Sequence, residues 1–259
     1  MSDERRAEIL AIIDDNGDAT LAELCRRFSD VSEMTVRRDL IQLEQEGRII
    51  RTRGGAVSVR RLGDSRGLSQ SGEENEYQLR ARENSEAKRE IARKAAGLIE
   101  KGRSVYFDAG STVMELARVV SDEALTVITN GTNIAQELVS RHHVNVMMPG
   151  GTVNRNTLSV SGPTSVNFIN NVHIDLAFMS ASGFSLDAGF TVSNIYEAEL
   201  KHTVISRAKK RIMLLDSSKF NKNLFFTLAE PGDIDILVCE DAPSPELREA
   251  ALSAGLELL

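Results

Sequence analysis

Two groups of side chains carry the chemistry this sequence has to offer. The first is Thr35, Arg38 and Gln42, with Arg37 beside them, on the helix face left free when Val36, Leu40 and Leu43 are buried at i, i+4 and i+7. Arginine suits guanine edges and phosphates, because its planar fork makes two parallel hydrogen bonds. Ser32 can cap that helix at Glu33. Arg51 and Arg53 follow on a hairpin suited to backbone phosphates or a narrow minor groove. Together these residues describe a surface for duplex DNA, with helix N-terminal side chains at base edges in the major groove.

The second group is a set of polar loops. Asp108-Ala109-Gly110-Ser111-Thr112 reads as an anion cradle. Gly110 lets successive N–H groups point one way, and Ser111 and Thr112 add hydroxyls at a helix start, whose N-terminus favours negative charge. Gly150-Gly151 offers a second close approach, with Arg155 as a cation, and Lys219 in Asp216-Ser217-Ser218-Lys219 is a point charge for phosphate or carboxylate. Thr129-Asn130-Gly131 and Ser180-Ala181-Ser182-Gly183 complete the set. Any one loop is as well read as an ordinary turn, with Ser111 or Thr112 only capping a helix. Five on one expected edge favour a ligand.

Specific elements must position both groups. Glu4 to about Asn16 carries Ile9, Ile12 and Ile13 on one face, and Gly17 closes it. Thr20-Leu21-Ala22-Glu23 is a capping box that opens a helix with Leu21, Leu24 and Phe28 on one side. After a short turn comes the helix from Glu33, ended by Gly47 as a C′ glycine. Strands over 48–53 and 56–59 are joined at Gly54-Gly55. Helix, helix, turn, helix, hairpin is a winged helix-turn-helix, expected over 1–61. A Gly/Ser-rich polar stretch, 62–76, reads as a flexible linker. Over 77–259 a helical run to residue 99 precedes short β-like runs alternating with helices. That alternation predicts an α/β domain with a mostly parallel sheet covered on both faces. Ligands of such sheets bind beyond the carboxyl ends of the strands, where the polar loops fall.

The run Thr35-Val36-Arg37-Arg38-Asp39-Leu40 after Ser32, with Arg5 before it and Leu43-Glu44, Gly47 and Gly54-Gly55-Ala56 after it, resembles the DeoR family of bacterial sugar-metabolism repressors. The D-A-G-S-T, T-N, P-G-G and D-S-S-K loops resemble the sensor domain of the same family, whose fold is similar to ribose-5-phosphate isomerase and the coenzyme A transferases. The resemblance implies DNA contacts at Thr35, Arg37, Arg38 and the wing arginines. It also implies a phosphorylated sugar or related metabolite bound through 110–112, 129–131, 150–155 and Lys219. The sequence departs from the family where Ser180 stands in place of a frequent glycine, and the isomerase's paired aspartates and glycine-rich lysine loop are not visible.

The net charge of −7 would argue against nucleic acid were it evenly spread. From Glu33 to Arg61, however, seven arginines face four acids, whereas the preceding 32 residues hold four arginines against eight acids. So modest a basic face favours a homo-oligomer, dimer or tetramer, that adds its faces together on double-stranded operator DNA. No apolar run approaches the roughly 18 residues a membrane helix needs, and the start lacks an apolar signal region, so a cytoplasmic protein is expected. Cys25 and Cys239 read as free thiols. No nucleotide-binding, zinc-protease or nucleophile-elbow pattern occurs, and no cofactor or metal is expected. Asp108, Asp175, Asp187, Glu197 and Glu199 form no paired constellation in sequence. An isomerase with an added domain and a metabolite-insensitive interaction module therefore stand as alternatives to a regulator.

Overall fold

The computed structural model describes residues 2–16, 18–29, 31–46, 48–51, 55–58, 77–241 and 244–259. Gly17, Gly47, Arg53, Gly54 and the stretch 62–76 lie outside the described residues. The chain divides into two compact units, Met1–Glu73 and Glu74–Leu259.

In the first unit, α1 (Ser2–Asn16), β1 (Asp18–Thr20), α2 (Leu21–Arg27), α3 (Glu33–Gln45), β2 (Ile49–Arg51) and β3 (Gly55–Ser58) follow in order. Ile9 and Ile13, Leu24 and Phe28, and Val36, Leu40 and Leu43 are the buried stripes of the three helices, and they meet in one core with Ile49 and Ala56. Thr20 and Glu23 form the capping box, with Thr20 Oγ1 accepting from Glu23 N at 3.2 Å and Glu23 Oε2 accepting from Thr20 N at 2.8 Å. The wing differs from the expected two-stranded hairpin. β1 joins it as a third antiparallel strand, in the order β1-β3-β2. Gly55 pairs with Thr20 in that sheet. A Cβ at Gly55 would lie 2.1 Å from the Ala19 carbonyl oxygen, so the close approach of β1 requires glycine here.

The second unit opens with α4 (Tyr77–Arg82) and α5 (Ser85–Ala96). The helical run expected within 77–99 is α5, and a break at Asn84, which adopts the left-handed conformation at φ 51°, separates it from α4. Next come β4 (Ser104–Phe107), α6 (Ser111–Val119), β5 (Leu125–Thr129), α7 (Thr132–Leu138), β6 (Val144–Met147), β7 (Thr152–Asn154), β8 (Ser159–Ser161), α8 (Pro163–Asn170) and β9 (Ile174–Met179). The chain continues with β10 (Gly183–Ser185), β11 (Gly189–Val192), α9 (Ile195–Arg207), β12 (Ala208–Leu214), β13 (Phe226–Ala229), β14 (Ile236–Val238), α10 (Pro245–Ser253) and β15 (Glu257–Leu258).

Seven of these strands form one parallel sheet in the order β15-β14-β12-β9-β4-β5-β6. One apolar cluster joins α5, α6 and α7 to one face, and another joins α8, α9 and α10 to the other. β7 and β8 form a hairpin, and β10, β11 and β13 a small antiparallel sheet. Among the described residues, no helix is long and apolar enough to cross a membrane. Cys25 is half-buried and Cys239 buried, both free. Burial pushes the Cys239 thiol up to about 12, which leaves it unreactive near neutral pH.

Strand order reverses between β4 and β9, the switch point at which α/β sheets bind ligands. Asp175 pins the amino ends of these two strands. It accepts from Ser104 N and Oγ, each at 3.0 Å, and from Lys209 Nζ at 2.8 Å. The Lys209 ammonium and then the Ser104 N–H bring its carboxyl from the ordinary value of about 3.9 to about 2. A carboxyl whose folded pKa is depressed stabilises fully above its unfolded pKa, and that contribution is lost as pH falls through the folded one. We expect the thermal midpoint to drop between about pH 4 and pH 2, and Asp175→Asn to flatten that limb in a melting series across the same range.

Candidate functional site

In the first unit, Ser32 caps α3, its Oγ accepting from Thr35 N at 3.3 Å and lying 3.0 Å from Thr35 Oγ1. Thr35 and Gln42 are half-buried, and Arg37, Arg38 and Arg51 are exposed. Several of these groups already hold a partner. Arg37 pairs with Glu33 at 2.8 Å, Gln42 Nε2 donates to Glu46 Oε1 at 3.0 Å, and Arg51 pairs with Glu44 at 2.7 Å. Arg38 has no acidic partner among the described residues. Asp39, in the same motif, faces inward and accepts from Arg5 Nε at 2.6 Å, tying α3 to α1. It is the positioning member of the run, and it explains why Arg5 belongs with that run in sequence.

In the second unit, the carboxyl end of β4 carries Asp108, which is completely buried. Its Oδ2 accepts from Ser180 N at 3.1 Å, Ser180 Oγ at 2.7 Å and Lys201 Nζ at 2.9 Å. Lys201 is 2% exposed on α9. It also donates to the Ser180 carbonyl at 2.7 Å and pairs with Glu197 Oε1, one turn earlier, at 3.1 Å. Loops from β4 and β9 and helix α9 thus share one buried ionic cluster at the switch point. Burial, and after it the carboxylates of Asp108 and Glu197, raises the phenol of Tyr106 well above its ordinary value. Gly110 lies against this cluster, since a Cβ there would sit 2.0 Å from Ser180 Oγ. The Ser180 hydroxyl thus occupies the space that a side chain at 110 would need. Ser111 and Thr112, both buried, then open α6, whose first N–H groups have no intrahelical acceptor.

The other loops differ in what they leave available. Thr129 Oγ1 accepts from Gly131 N at 3.0 Å. Asn130 accepts from Ala109 N at 3.1 Å and donates to the Val160 carbonyl at 3.3 Å. Both side chains are fully buried; Thr129 braces its own loop, and Asn130 joins the β4 and β5 loops to the β7–β8 hairpin. Gly151 has φ 151°, and a Cβ on it would meet the Ser161 carbonyl oxygen at 2.5 Å, while the Gly150 carbonyl accepts from Ser165 Oγ at 2.6 Å. Arg155 stands exposed at the tip of the β7–β8 hairpin, and Lys219 is half-buried on the turn after β12.

Sequence reasoning missed Lys201 and Lys88, and left the role of Glu197 open. Lys88 is 1% exposed and donates to the carbonyls of Arg80 and Glu83. Burial lowers its pKa, while Asp216 opposes that shift. Asn84 Nδ2 donates to Asp216 Oδ1 at 3.0 Å, and Asp216 caps the 217–219 turn. The i, i+4 spacing of Glu197 and Lys201 is the sequence signal that points to their pairing. Among the described residues, the buried oxygens Asp108 Oδ1 and Asp216 Oδ2 have no donor within the protein. No group of three or more His, Cys, Asp or Glu among those residues is placed to hold a metal.

Two families match the chain. Residues 5–61 match the DeoR-like helix-turn-helix domain, and residues 83–241 the DeoR C terminal sensor domain. The chain is 36% identical over 255 residues to the HTH-type transcriptional regulator GolR of Listeria innocua, covering 98% of this chain and 96% of that one. It is 32% identical over 257 residues to the HTH-type transcriptional repressor GlcR of Bacillus subtilis, covering 99% and 95%. It is 29% identical over 257 residues to a putative aga operon transcriptional repressor of Escherichia coli O157:H7, covering 99% and 93%. All three are named as regulators, not as enzymes. Among solved structures, ribose 5-phosphate isomerase A of Methanocaldococcus jannaschii aligns over 53% of this chain and 55% of its own at 16% identity, with a TM-score of 0.40. At that score the likeness says nothing about chemistry.

Proposed function

The chain belongs to the DeoR family of helix-turn-helix transcriptional regulators, and from that premise we propose that it represses a carbohydrate-metabolism operon under control of a phosphorylated sugar. Residues 1–61 bind double-stranded operator DNA through Ser32, Thr35, Arg37, Arg38, Gln42, Arg51 and Arg53. Residues 77–259 sense the effector, with 62–76 as the linker between them. The acidic net charge and the modest basic balance over 33–61 favour a homo-oligomer, dimer or tetramer, that presents several recognition helices at once, and a cytoplasmic location follows from the operator it binds.

The observation that carries this reading is the buried Asp108–Lys201–Glu197 cluster at the switch point, packed against Gly110, which leads into Ser111 and Thr112. The start of α6, with Lys219 and Arg155, suits a phosphate. Asp108 Oδ1 and Asp216 Oδ2, buried acceptors without a protein donor, suit sugar hydroxyls. Thr129, Asn130, Gly131, Gly150 and Gly151 complete the effector site, on loops held by the Thr129 and Asn130 side chains and by the close approach of Gly151 to Ser161. Both carboxylates on Lys201 are engaged with its ammonium, which favours a binding site over a proton-transferring one.

Control requires that the effector bind the DNA-competent and DNA-incompetent states unequally. A thermal-shift panel of sugar phosphates and their unphosphorylated sugars tests this. At a hundredfold excess over its Kd one phosphorylated member should stabilise by about 2.7 kcal/mol, its free sugar far less, and the same compound should change operator affinity in a gel shift. A panel in which no phosphorylated sugar moves either readout would sink the effector assignment.

A further inference from the structure

The outermost ridge of α3 is partly apolar. With about 100° of rotation per residue, the buried Val36, Asp39, Leu40 and Leu43 occupy one side of the helix, and Met34, Arg38 and Ile41 stand opposite them. Thr35 and Gln42 lie on one flank of that ridge and Arg37 on the other. Met34 is 60% exposed and Ile41 38%, whereas the unit's core is complete without them. Two apolar groups at the pole of a helix otherwise rich in hydrogen-bonding side chains suit a partner that is apolar at those points and anionic around them. Arg37 and Arg38 supply the complementary charge. In the major groove, the apolar group a base pair presents is the thymine C5 methyl.

We infer that Met34 and Ile41 read thymine methyl groups on either side of the base contacted by Arg38. This rests on the proposed DNA-binding reading and extends it to two residues outside the hydrogen-bonding set. Met34 and Ile41 are seven residues apart, about 10 Å along the helix. For a helix laid along the run of the base pairs, that distance spans roughly three steps of 3.4 Å. The preferred half-site therefore carries two thymines about three steps apart, flanking a guanine. The flexible, polarizable thioether of Met34 tolerates small differences in groove geometry, while the branched Ile41 is stiffer.

The test starts from the duplex that the full-length protein selects out of a random library. Each thymine of the half-site is replaced in turn by deoxyuridine, which removes the methyl and keeps the hydrogen-bonding edge. Each contacted position should lose about four-fold in affinity, the effect of one buried methyl-sized group. Met34→Ala should abolish the penalty at one position and Ile41→Ala at the other, with the melting temperature of each variant unchanged. If a site is selected but deoxyuridine is tolerated at every position, the inference fails and the DNA-binding reading stands. If Met34→Ala keeps the thymine preference but changes the protein's mass in solution, the ridge is a contact between copies and the inference also fails. If no duplex is selected at all, the DNA-binding reading fails and takes the inference with it.

Discussion

Replacing Lys201 with methionine should lower the stability of the Glu74–Leu259 unit by about 3–5 kcal/mol, the usual consequence of removing one member of a buried ion pair. Methionine has nearly the volume of lysine, so little of the loss comes from a cavity. The loss arises because Asp108 and Glu197, both buried, would face each other without the ammonium that now lies 2.9 and 3.1 Å from them. The Ser180 carbonyl would lose a donor as well. In a unit of this size the change amounts to roughly 10 °C in melting temperature. A further readout separates an uncompensated charge from generic damage. Adding Asp108→Asn should restore part of the loss, since it removes one of those charges by mutation. A midpoint within about 2 °C of the native chain at neutral pH, less than the effect of 1 kcal/mol, would mean that the cluster does not hold the switch point together.

That cluster also shows where reading the sequence reaches its limit. Asp108 is legible as the polar residue at a strand end, in the loop expected to meet the effector. Lys201 lies 93 residues away on a helix whose apolar pattern gives no hint of a buried cation. The two meet because β9 lies beside β4, and strand adjacency is a tertiary fact that local spacing does not encode. The same limit explains Thr129 and Asn130. Their residue types suit a ligand, but the sequence does not show that Thr129 also accepts from Gly131 in its own loop, nor that the β7–β8 hairpin folds onto the β5 loop and takes Asn130 as a brace. By contrast, the helix stripes at Val36, Leu40 and Leu43, the capping box at Thr20 and the cap at Ser32 were legible, because each depends on residues within one or two turns. The break at Asn84 was not legible. A left-handed asparagine carries no proline or glycine signal, and its reason is Asp216, which is 132 residues away. The third wing strand, β1, has only three residues, too few for a period to register.

Arg38→Ala should weaken operator binding by about 1–3 kcal/mol and relax sequence preference at one base pair, as expected for loss of an arginine at a guanine edge. Arg37→Ala should behave differently. Arg37 sits on the flank of α3 in an exposed pair with Glu33, both side chains about half exposed, so it suits a phosphate rather than a base. Its loss should weaken all duplexes alike and reduce the slope of log affinity against log salt by about 1. The acids give a further discrimination. Arg37 must loosen Glu33, and Arg51 must loosen Glu44, before either engages DNA, whereas Arg38 has no such competitor among the described residues. Exposed pairs of this kind contribute little to folding. Glu33→Gln and Glu44→Gln should therefore leave the melting temperature of the first unit nearly unchanged while tightening DNA binding and steepening its salt dependence. Affinity measured for wild type and the four variants on the selected operator and on a scrambled duplex, each across a salt series, separates these roles. If Arg38→Ala and Arg37→Ala lower affinity for both duplexes by the same factor, Arg38 grips the backbone and the outer ridge of α3 does not lie against the bases.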